Sequence, residues 1–443
     1  MTVITRFAPS PTGRLHVGNL RTALHNWMFA RSKGGRFLLR IDDTDAARSE
    51  ERFVDAIRAD LDWLGMTPDG EARQSARFDR YDARFAELVA SGRVYPCYET
   101  PEELDLKRKV QLGRGLPPVY DRAALKLTDD DRAALEREGV RPHWRFRLSH
   151  DAPIEWDDQV RGRQHFDPKT MSDPVIRRGD GSWLYLLPSV IDDIDMAITH
   201  VVRGEDHVSN TAAQVQMFEA LGAKPPVFAH AALLTGSEGK LSKRLGSLGV
   251  DHFRDIGIEP QALISLLARI GTSQPVEPVV DPQPLIDAFD FSHFGRAPAR
   301  FDETELAQVN ARIVHQLPYT RVVRRLPKGM NGMAWNTVKA NLSTLDEAAD
   351  WWAIITGPFT PPVASADDHA LLDAAALEAA VADWLGDPWH QITNNLKELT
   401  GRKGKALFLP LRLALTGRDA GPDMAALLPL IGREATIERL KHR

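Results

Sequence analysis

Between Val3 and Gly65 the chain alternates short apolar segments with stretches of helical spacing, and this order leaves few folds open. Val3 to Ala8 predicts a strand and Pro9 to Gly13 a turn. Leu20, Ala23, Leu24, Trp27 and Met28 then recur as on one face of a helix, which Gly34-Gly35 stops. Phe37 to Ile41 is nearly continuous in apolar character, as a strand buried on both faces requires, and it ends on Asp42, Asp43 and Asp45. Phe53, Ile57 and Leu61 mark a second helix. A βαβα unit of this kind belongs to a parallel, nucleotide-binding type of α/β sheet. The same texture resumes only at Ile198 to Arg203, followed by helical spacing through Val215, Phe218 and Leu221 and a strand at Phe228 to Leu234. The nucleotide fold is therefore predicted to be split by an insertion.

The insertion reads as α+β. Thr100-Pro101-Glu102-Glu103 predicts a capping box with proline at the first helical position, Trp144 to Leu148 alternates apolar and basic residues, and Asp180-Gly181 between apolar runs predicts a hairpin. After about Gly257 helical spacing dominates, with proline-rich joints at Pro275 to Pro284 and Pro358 to Pro362. From Gln391 to Arg443 ten Lys/Arg face five Asp/Glu, a local excess of +5 in a chain whose formal charge is −5. Any polyanionic partner must then meet a local basic face rather than the bulk charge. With 43% hydrophobic and 26% charged residues among 443, the chain is globular rather than disordered, and its length fits two to four domains. A single cysteine, Cys97, forbids an internal disulfide or a multi-cysteine metal site and points to a reducing compartment. No apolar run approaches a membrane span or a signal peptide, so the expected location is the cytoplasm.

Two segments carry phosphate chemistry. Ala8-Pro9-Ser10-Pro11-Thr12-Gly13 precedes His16-Val17-Gly18-Asn19 at a strand-to-helix junction, where free amides can hold phosphate and His16 can donate to it. Alone, His16-x-Gly18 is a weak signal. Lys240-Leu241-Ser242-Lys243-Arg244 follows the flexible Thr235 to Gly239, and three cations on such a loop can neutralise the charge that develops as pyrophosphate leaves. Other clusters have plainer readings. Asp192-Asp193-Asp195 reads as strand-end hydrogen bonding or helix capping, Asp129 to Asp131 as a solvated helix start, and Trp351-Trp352 as helix core. Arg321, Arg324, Arg325 and Lys328 divide evenly between a solvated face and an RNA backbone contact.

Together these segments resemble the class I aminoacyl-tRNA synthetases. Arg6-Phe7-Ala8-Pro9-Ser10-Pro11-Thr12-Gly13, Arg40-Ile41-Asp42-Asp43-Thr44-Asp45, Val202-Arg203-Gly204-Glu205-Asp206, Lys240 to Arg244 and the terminal Leu409 to Gly417 are similar to the bacterial glutamyl-tRNA synthetase family along the whole chain. That resemblance implies a Rossmann-type catalytic domain in two pieces, 1–90 and 180–235. An acceptor-binding insertion would occupy 91–179, the signature loop with a stem-contact domain 236–317, and helical anticodon-binding domains 318–372 and 373–443. It implies a glutamate site of Arg6, Ala8, Ser10, Asp42, Tyr185, Ser189 and Arg203, with Arg6 pairing bidentately with the γ-carboxylate and Asp42 beside the α-amino group. ATP, arriving with Mg²⁺, would be held by His16, Gly18, Asn19, His207, Lys240, Ser242, Lys243 and Arg244; Lys243, His16 and Lys240 would act on the reacting phosphates. The expected partners are glutamate, ATP and tRNA(Glu), through residues that include Asn341 and Arg412, for a monomer whose activation step requires bound tRNA.

The departures from the family pattern are local. Asn19 stands for a second histidine, Asp42 for a common Glu, and Ser189 for an Asn of some relatives. Asn341 stands where strictly glutamate-specific relatives tend to carry an anticodon-reading arginine, which leaves tRNA(Gln) open as a second acceptor. Some relatives hold zinc in the insertion through cysteines and a histidine; here Cys97 has no partner cysteine, with Tyr98 and Tyr120 at expected ligand positions, so no zinc is expected. Three other activities share parts of the pattern. A glutamyl-queuosine tRNA(Asp) synthetase lacks the helical stretch after Leu317, and a small-molecule adenylyltransferase usually lacks a basic helical tail. A non-catalytic RNA-binding paralogue would not need Arg6, His16, Gly18 and Lys243 together.

Overall fold

The structure is a computed structural model that describes residues 2–236, 239–240, 249–357 and 359–442, with only the backbone described at 239–240. The chain forms two compact units. One comprises residues 1–253, 264–277 and 281–302, and the other residues 254–263, 278–280 and 303–443.

The first unit opens as its sequence pattern predicts. β1 (Ile4–Phe7), α1 (Val17–Ser32), β2 (Arg36–Ile41), α2 (Glu51–Trp63) and β3 (Gly70–Arg73) form a three-stranded parallel sheet in the order β1-β2-β3. Helix α1 ends where Gly34 takes φ +58°. Gly35 follows at a position where a Cβ would stand 2.2 Å from the Val3 carbonyl oxygen, so no larger residue fits there. Phe37, Leu38, Leu39 and Ile41 are 0–8% exposed, and each such side chain contributes on the order of 1.5–3 kcal/mol by leaving water.

After α3 (Phe78–Ala90) comes the insertion. β4 (Val94–Cys97), α4 (Pro101–Gly113), α5 (Asp129–Arg137), β5 (His143–Phe146), the hairpin β6 (Ile154–Asp158) and β7 (Gly162–Phe166), and β8 (Val175–Arg177) build an antiparallel sheet β4-β5-β8 beside the β6-β7 pair. The capping boxes form as their sequences require. Thr100 accepts from the Glu103 N–H while the Glu103 carboxylate accepts from the Thr100 N–H, and Thr128 and Asp131 repeat the arrangement. Gly181, at φ +88°, makes the turn in which Arg178 N–H donates to Ser182 C=O.

The nucleotide fold then resumes. α6 (Leu186–Asp195) leads to β9 (His200–Gly204), α7 (Val208–Ala220) and β10 (Val227–Ala231), with β9 and β10 parallel. Thr199 N–H donates to Ile4 C=O, which sets β9 beside β1, and Gln159 N–H donates to Phe228 C=O, which sets the β6-β7 hairpin against β10. One apolar cluster joins Leu38, Tyr81, Phe146, Ile176, Leu187, Val201, Phe218 and Phe228, so the insertion and both pieces of the nucleotide fold share a core. β11 (Leu234–Gly236) pairs antiparallel with β12 (Gly239–Lys240).

The second unit is helical, with long helices at Glu303–Gln316, Ala366–Val381, Pro388–Thr400 and Lys405–Thr416. Several of its cations are structural. Arg325 makes a bidentate pair with buried Glu259 at 2.6 and 2.8 Å, and Arg321 donates to the Val280 carbonyl, so both already hold protein partners while remaining exposed. Within the terminal segment, Arg439 is buried and donates to the Leu415 and Ile354 carbonyls. Trp351 is core, as read, and Trp352 is half-buried with its indole N–H on the Lys328 carbonyl. Among the described residues no helix is long and apolar enough to cross a membrane.

Candidate active site

The C-terminal ends of β1, β2 and β9 converge with the first turns of α1, α6 and α7, the position at which open α/β sheets bind ligands. His16 caps α1. Its Nδ1 accepts the Gly18 N–H at 3.1 Å, and a Cβ on Gly18 would lie 3.0 Å from the imidazole. A side chain at position 18 would therefore press on the histidine ring. Burial lowers the His16 pKa and favours the neutral ring. Asn19 is half-buried in the same turn, Ala8 is half-buried, and Ser10 is exposed with its carbonyl accepting the Thr12 N–H.

Beneath these loops lies a network of buried charges. Arg40 interrupts the apolar run of β2 and is fully buried, and its guanidinium is saturated by acceptors. Asp42 takes Nε and Nη2 at 2.7 and 3.1 Å, Asp193 takes Nη1 at 2.8 Å, and the Ser189 Oγ and carbonyl lie at 3.0 and 3.3 Å. Burial opposes the charge of Arg40, but Asp42 and Asp193 outweigh it and hold the pKa well above the ordinary value. Burial raises the Asp42 pKa against the opposing pull of Arg40. Asp193 also receives Arg6, through Nε at 3.1 Å and Nη2 at 3.4 Å, so Arg6 is gripped along one edge and its Nη1 has no protein partner among the described residues. Asp192 accepts from Gln74, Arg77 and the Tyr81 hydroxyl, and Asp195 from Arg77 and Arg80. The reading of Asp192, Asp193 and Asp195 as capping or strand-end groups is therefore corrected: they are the anionic side of this network. Ser189 is fully buried with its hydroxyl on Arg40.

Arg203 is the other guanidinium at the site, and its surroundings are different. Tyr185 Oη accepts from Nη1 at 2.8 Å, Thr211 Oγ1 and Gln214 Oε1 from Nη2 at 2.6 and 2.8 Å, and His230 Nε2 from Nε at 3.2 Å, all of them neutral partners. Burial lowers the Arg203 pKa; Tyr185 and the charge of Asp193, which makes no hydrogen bond to it, oppose this, and the nearby charge of Arg6 adds to it. A 6%-exposed cation without a carboxylate hydrogen-bond partner, within electrostatic reach of a second, is a site short of one anion. His207 lies against Tyr185 with ring centroids 5.6 Å apart, and burial followed by the Arg203 charge lowers its pKa to about 4, so its ring is neutral.

The structure brings together Arg6, Asp42, Tyr185, Ser189, Arg203 and His207 through these contacts and their shared elements. Lys240 pairs through its backbone with Thr235, while Ser242, Lys243 and Arg244 lie outside the described residues. Asn341, exposed at the end of a short 3₁₀ segment, and Arg412, half-buried with two donors on the Pro422 carbonyl, belong to the second unit. Sequence reasoning missed Arg40 and Asp193 as site residues. The signal was available: one charge inside a buried-strand pattern, and two carboxylates inside the apolar helix Val190-Ile191-Asp192-Asp193-Ile194.

In the insertion, Cys97, Glu99 and His143 bring one donor atom each within 4.8 Å of one another, and His143 is a member the sequence reading did not name. Glu99 Oε2 and His143 Nε2 are buried without hydrogen-bond partners. The Tyr120 hydroxyl already donates to Glu99 at 2.8 Å, and burial pushes the Cys97 thiol up to about 11. The Arg145 guanidinium stacks 4.1 Å from the Tyr120 ring, placing a resident cation against the cluster. One thiol, one carboxylate and one imidazole beside an arginine do not fit the closed four-ligand set of a structural zinc.

Comparison with known proteins places the chain in a family. Residues 2–308 match the family described as tRNA synthetases class I (E and Q), catalytic domain, and residues 302–443 match an anticodon binding domain. The chain belongs to the class I tRNA synthetases of this glutamyl and glutaminyl group. It is 64% identical over 440 residues to glutamate–tRNA ligase 1 of Novosphingobium aromaticivorans, covering 99% of this chain and 100% of that protein. To glutamate–tRNA ligase 1 of Rhizorhabdus wittichii it is 66% identical over 439 residues, covering 99% of each. A crystal structure of a glutamate tRNA ligase from Elizabethkingia meningosepticum, in complex with its amino acid, superposes with a TM-score of 0.86 at 28% identity, covering 99% of this chain and 98% of that one.

Proposed function

We infer that Arg6 and Arg203 receive the side-chain carboxylate of glutamate, while its α-carboxylate is activated by ATP and transferred to tRNA. The chain is a glutamate–tRNA ligase. The observation that carries the subsite is the buried, anion-deficient pair: Arg203 with neutral partners alone, and Arg6 held along one edge with its Nη1 free. A carboxylate entering there supplies the missing charge, and the planar guanidinium fork suits it. Asp42, with Ala8 and Ser10, would receive the α-ammonium. His16, Gly18, Asn19, His207 and the segment Lys240 to Arg244 would hold ATP, which arrives with Mg²⁺, and Lys243 would carry the largest share of the charge on the departing pyrophosphate.

In the first step the α-carboxylate oxygen of glutamate attacks the α-phosphorus, forming glutamyl-adenylate and releasing pyrophosphate. In the second a terminal ribose hydroxyl of tRNA attacks the acyl carbon and AMP leaves. Neither step needs a side-chain nucleophile, so positioning and cationic stabilisation carry the catalysis. Residues 91–179 would take the acceptor end, 236–317 the stem, and 318–372 with 373–443 the anticodon, in a cytoplasmic monomer without zinc.

ATP–pyrophosphate exchange with glutamate, run with and without tRNA, tests this reading. Exchange should appear only when tRNA is present. Exchange without tRNA would favour the queuosine-type activity, and none under either condition would point to another amino acid. The choice of tRNA rests on Asn341, whose exposed amide stands where an arginine would read the last anticodon base. Both tRNA(Glu) and tRNA(Gln) should be glutamylated; undetectable Glu-tRNA(Gln) would remove the altered-discrimination reading.

A further inference from the structure

β6 ends on Asp158, and the hairpin turns there because Asp158 Oδ1 accepts the backbone N–H groups of Val160 and Arg161 at 3.1 and 3.0 Å. The same carboxylate crosses to β10. It accepts the His230 backbone N–H at 3.1 Å and lies 2.5 Å from His230 Nδ1, with both side chains at 0% exposure. A carboxylate in that position requires the ring proton on Nδ1, which leaves Nε2 as an acceptor. Nε2 faces Arg203 Nε at 3.2 Å and the Thr211 hydroxyl at 2.8 Å. The hairpin that supplies Asp158 is itself clamped: Arg161 pairs with Glu205, and Arg296 Nε donates to the Val160 carbonyl at 3.1 Å.

We propose that Asp158 and His230 are positioning residues for glutamate recognition: the carboxylate fixes the ring, the ring holds the Nε edge of Arg203, and the Nη1 edge is thereby aimed at the side-chain carboxylate of the substrate. The proposal rests on the reading of Arg203 as part of the glutamate subsite. Four neutral acceptors on a long, rotatable side chain are of use only if they stand where the substrate needs the guanidinium, and His230 is the partner on its inner edge. Asp158 belongs to the insertion, whereas Arg203 and His230 lie on β9 and β10. The amino-acid subsite is thus incomplete without the segment that would take the acceptor end of tRNA.

The test is steady-state exchange by the full chain with tRNA, titrating glutamate, ATP and tRNA separately. His230→Ala should raise the glutamate KM about tenfold or more, with the KM values for ATP and tRNA within about threefold. His230→Gln, whose amide oxygen can replace the Nε2 acceptor, should recover part of that loss. Asp158→Ala should match His230→Ala, and the double variant should be no worse than either single one, because both act through the same contact. A merely structural role would lower the amount of folded enzyme, hence the apparent kcat, and leave the glutamate KM unchanged; that result, or a parallel rise of all three KM values, overturns the proposal. Arg203→Ala separates the two failures. If it leaves the glutamate KM unchanged, the subsite reading is wrong; if it raises that KM while His230→Ala does not, only the positioning role is wrong.

Discussion

Arg203→Ala raises the glutamate KM of tRNA-supported pyrophosphate exchange by about 30- to 150-fold and leaves the ATP KM within about threefold. A hydrogen bond to a charged group is worth ~2–3 kcal/mol, which at ~1.4 kcal/mol per tenfold gives that range. The loss falls on glutamate because Arg203 has no acidic hydrogen-bond partner of its own to be left behind. The variant also takes one hydrogen bond each from Tyr185, Thr211, Gln214 and His230, so the yield of folded enzyme falls as well. KM is read independently of the active fraction, which makes it the decisive quantity. Unchanged glutamate KM with normal exchange would place the amino-acid carboxylate elsewhere.

Asp193→Ala acts on stability before it acts on the reaction. It removes the one carboxylate shared by two buried guanidiniums, Arg6 and Arg40, whose side chains are 4% and 0% exposed. Breaking a buried ion pair by deleting one partner costs about 3–5 kcal/mol, because the other partner keeps its desolvation penalty. In a unit of this size each kcal/mol corresponds to ~1.5–2 °C, so the melting temperature of the first unit should fall by about 5–10 °C in thermal unfolding followed by circular dichroism. Asp193→Asn, which keeps an acceptor oxygen, should lose clearly less. A change within about 2 °C for Asp193→Ala would mean that the pairs contribute no more than exposed salt bridges do.

What could be read from the sequence was what periodicity and local chemistry encode. The βαβα opening, the buried strand at Phe37 to Ile41, the Gly34-Gly35 stop, the capping box at Thr100, the helix start at Asp129 to Asp131 and the return of the nucleotide fold near Ile198 all follow from spacing and from residues acting on their immediate neighbours. His16 stood out because it opens a helix after a turn, and Arg6, Asp42 and Arg203 because the motifs that hold them resemble a family whose site they would form. Their partners did not. Asp193 meets Arg40 across 153 residues and Arg6 across 187, and Asp158 meets His230 across 72, separations over which hydrophobic pattern carries no pairing information. Asp192 and Asp193 looked like capping groups because an acidic pair near a helix end usually caps or faces water; here the helix turns them inward, where Gln74, Arg77 and Tyr81 for Asp192 and Arg6 and Arg40 for Asp193 make the burial tolerable. Ser189 was named as a site residue through the family resemblance, but its bond to Arg40 was not legible.

The most direct measurement is a crystal structure with a non-hydrolysable analogue of glutamyl-adenylate. The account predicts the side-chain carboxylate within hydrogen-bond distance of Arg203 and Arg6 Nη1, the α-ammonium beside Asp42, and the adenylate against the turn from His16 to Asn19. A side-chain carboxylate that leaves Arg203 with only its neutral protein partners would contradict it.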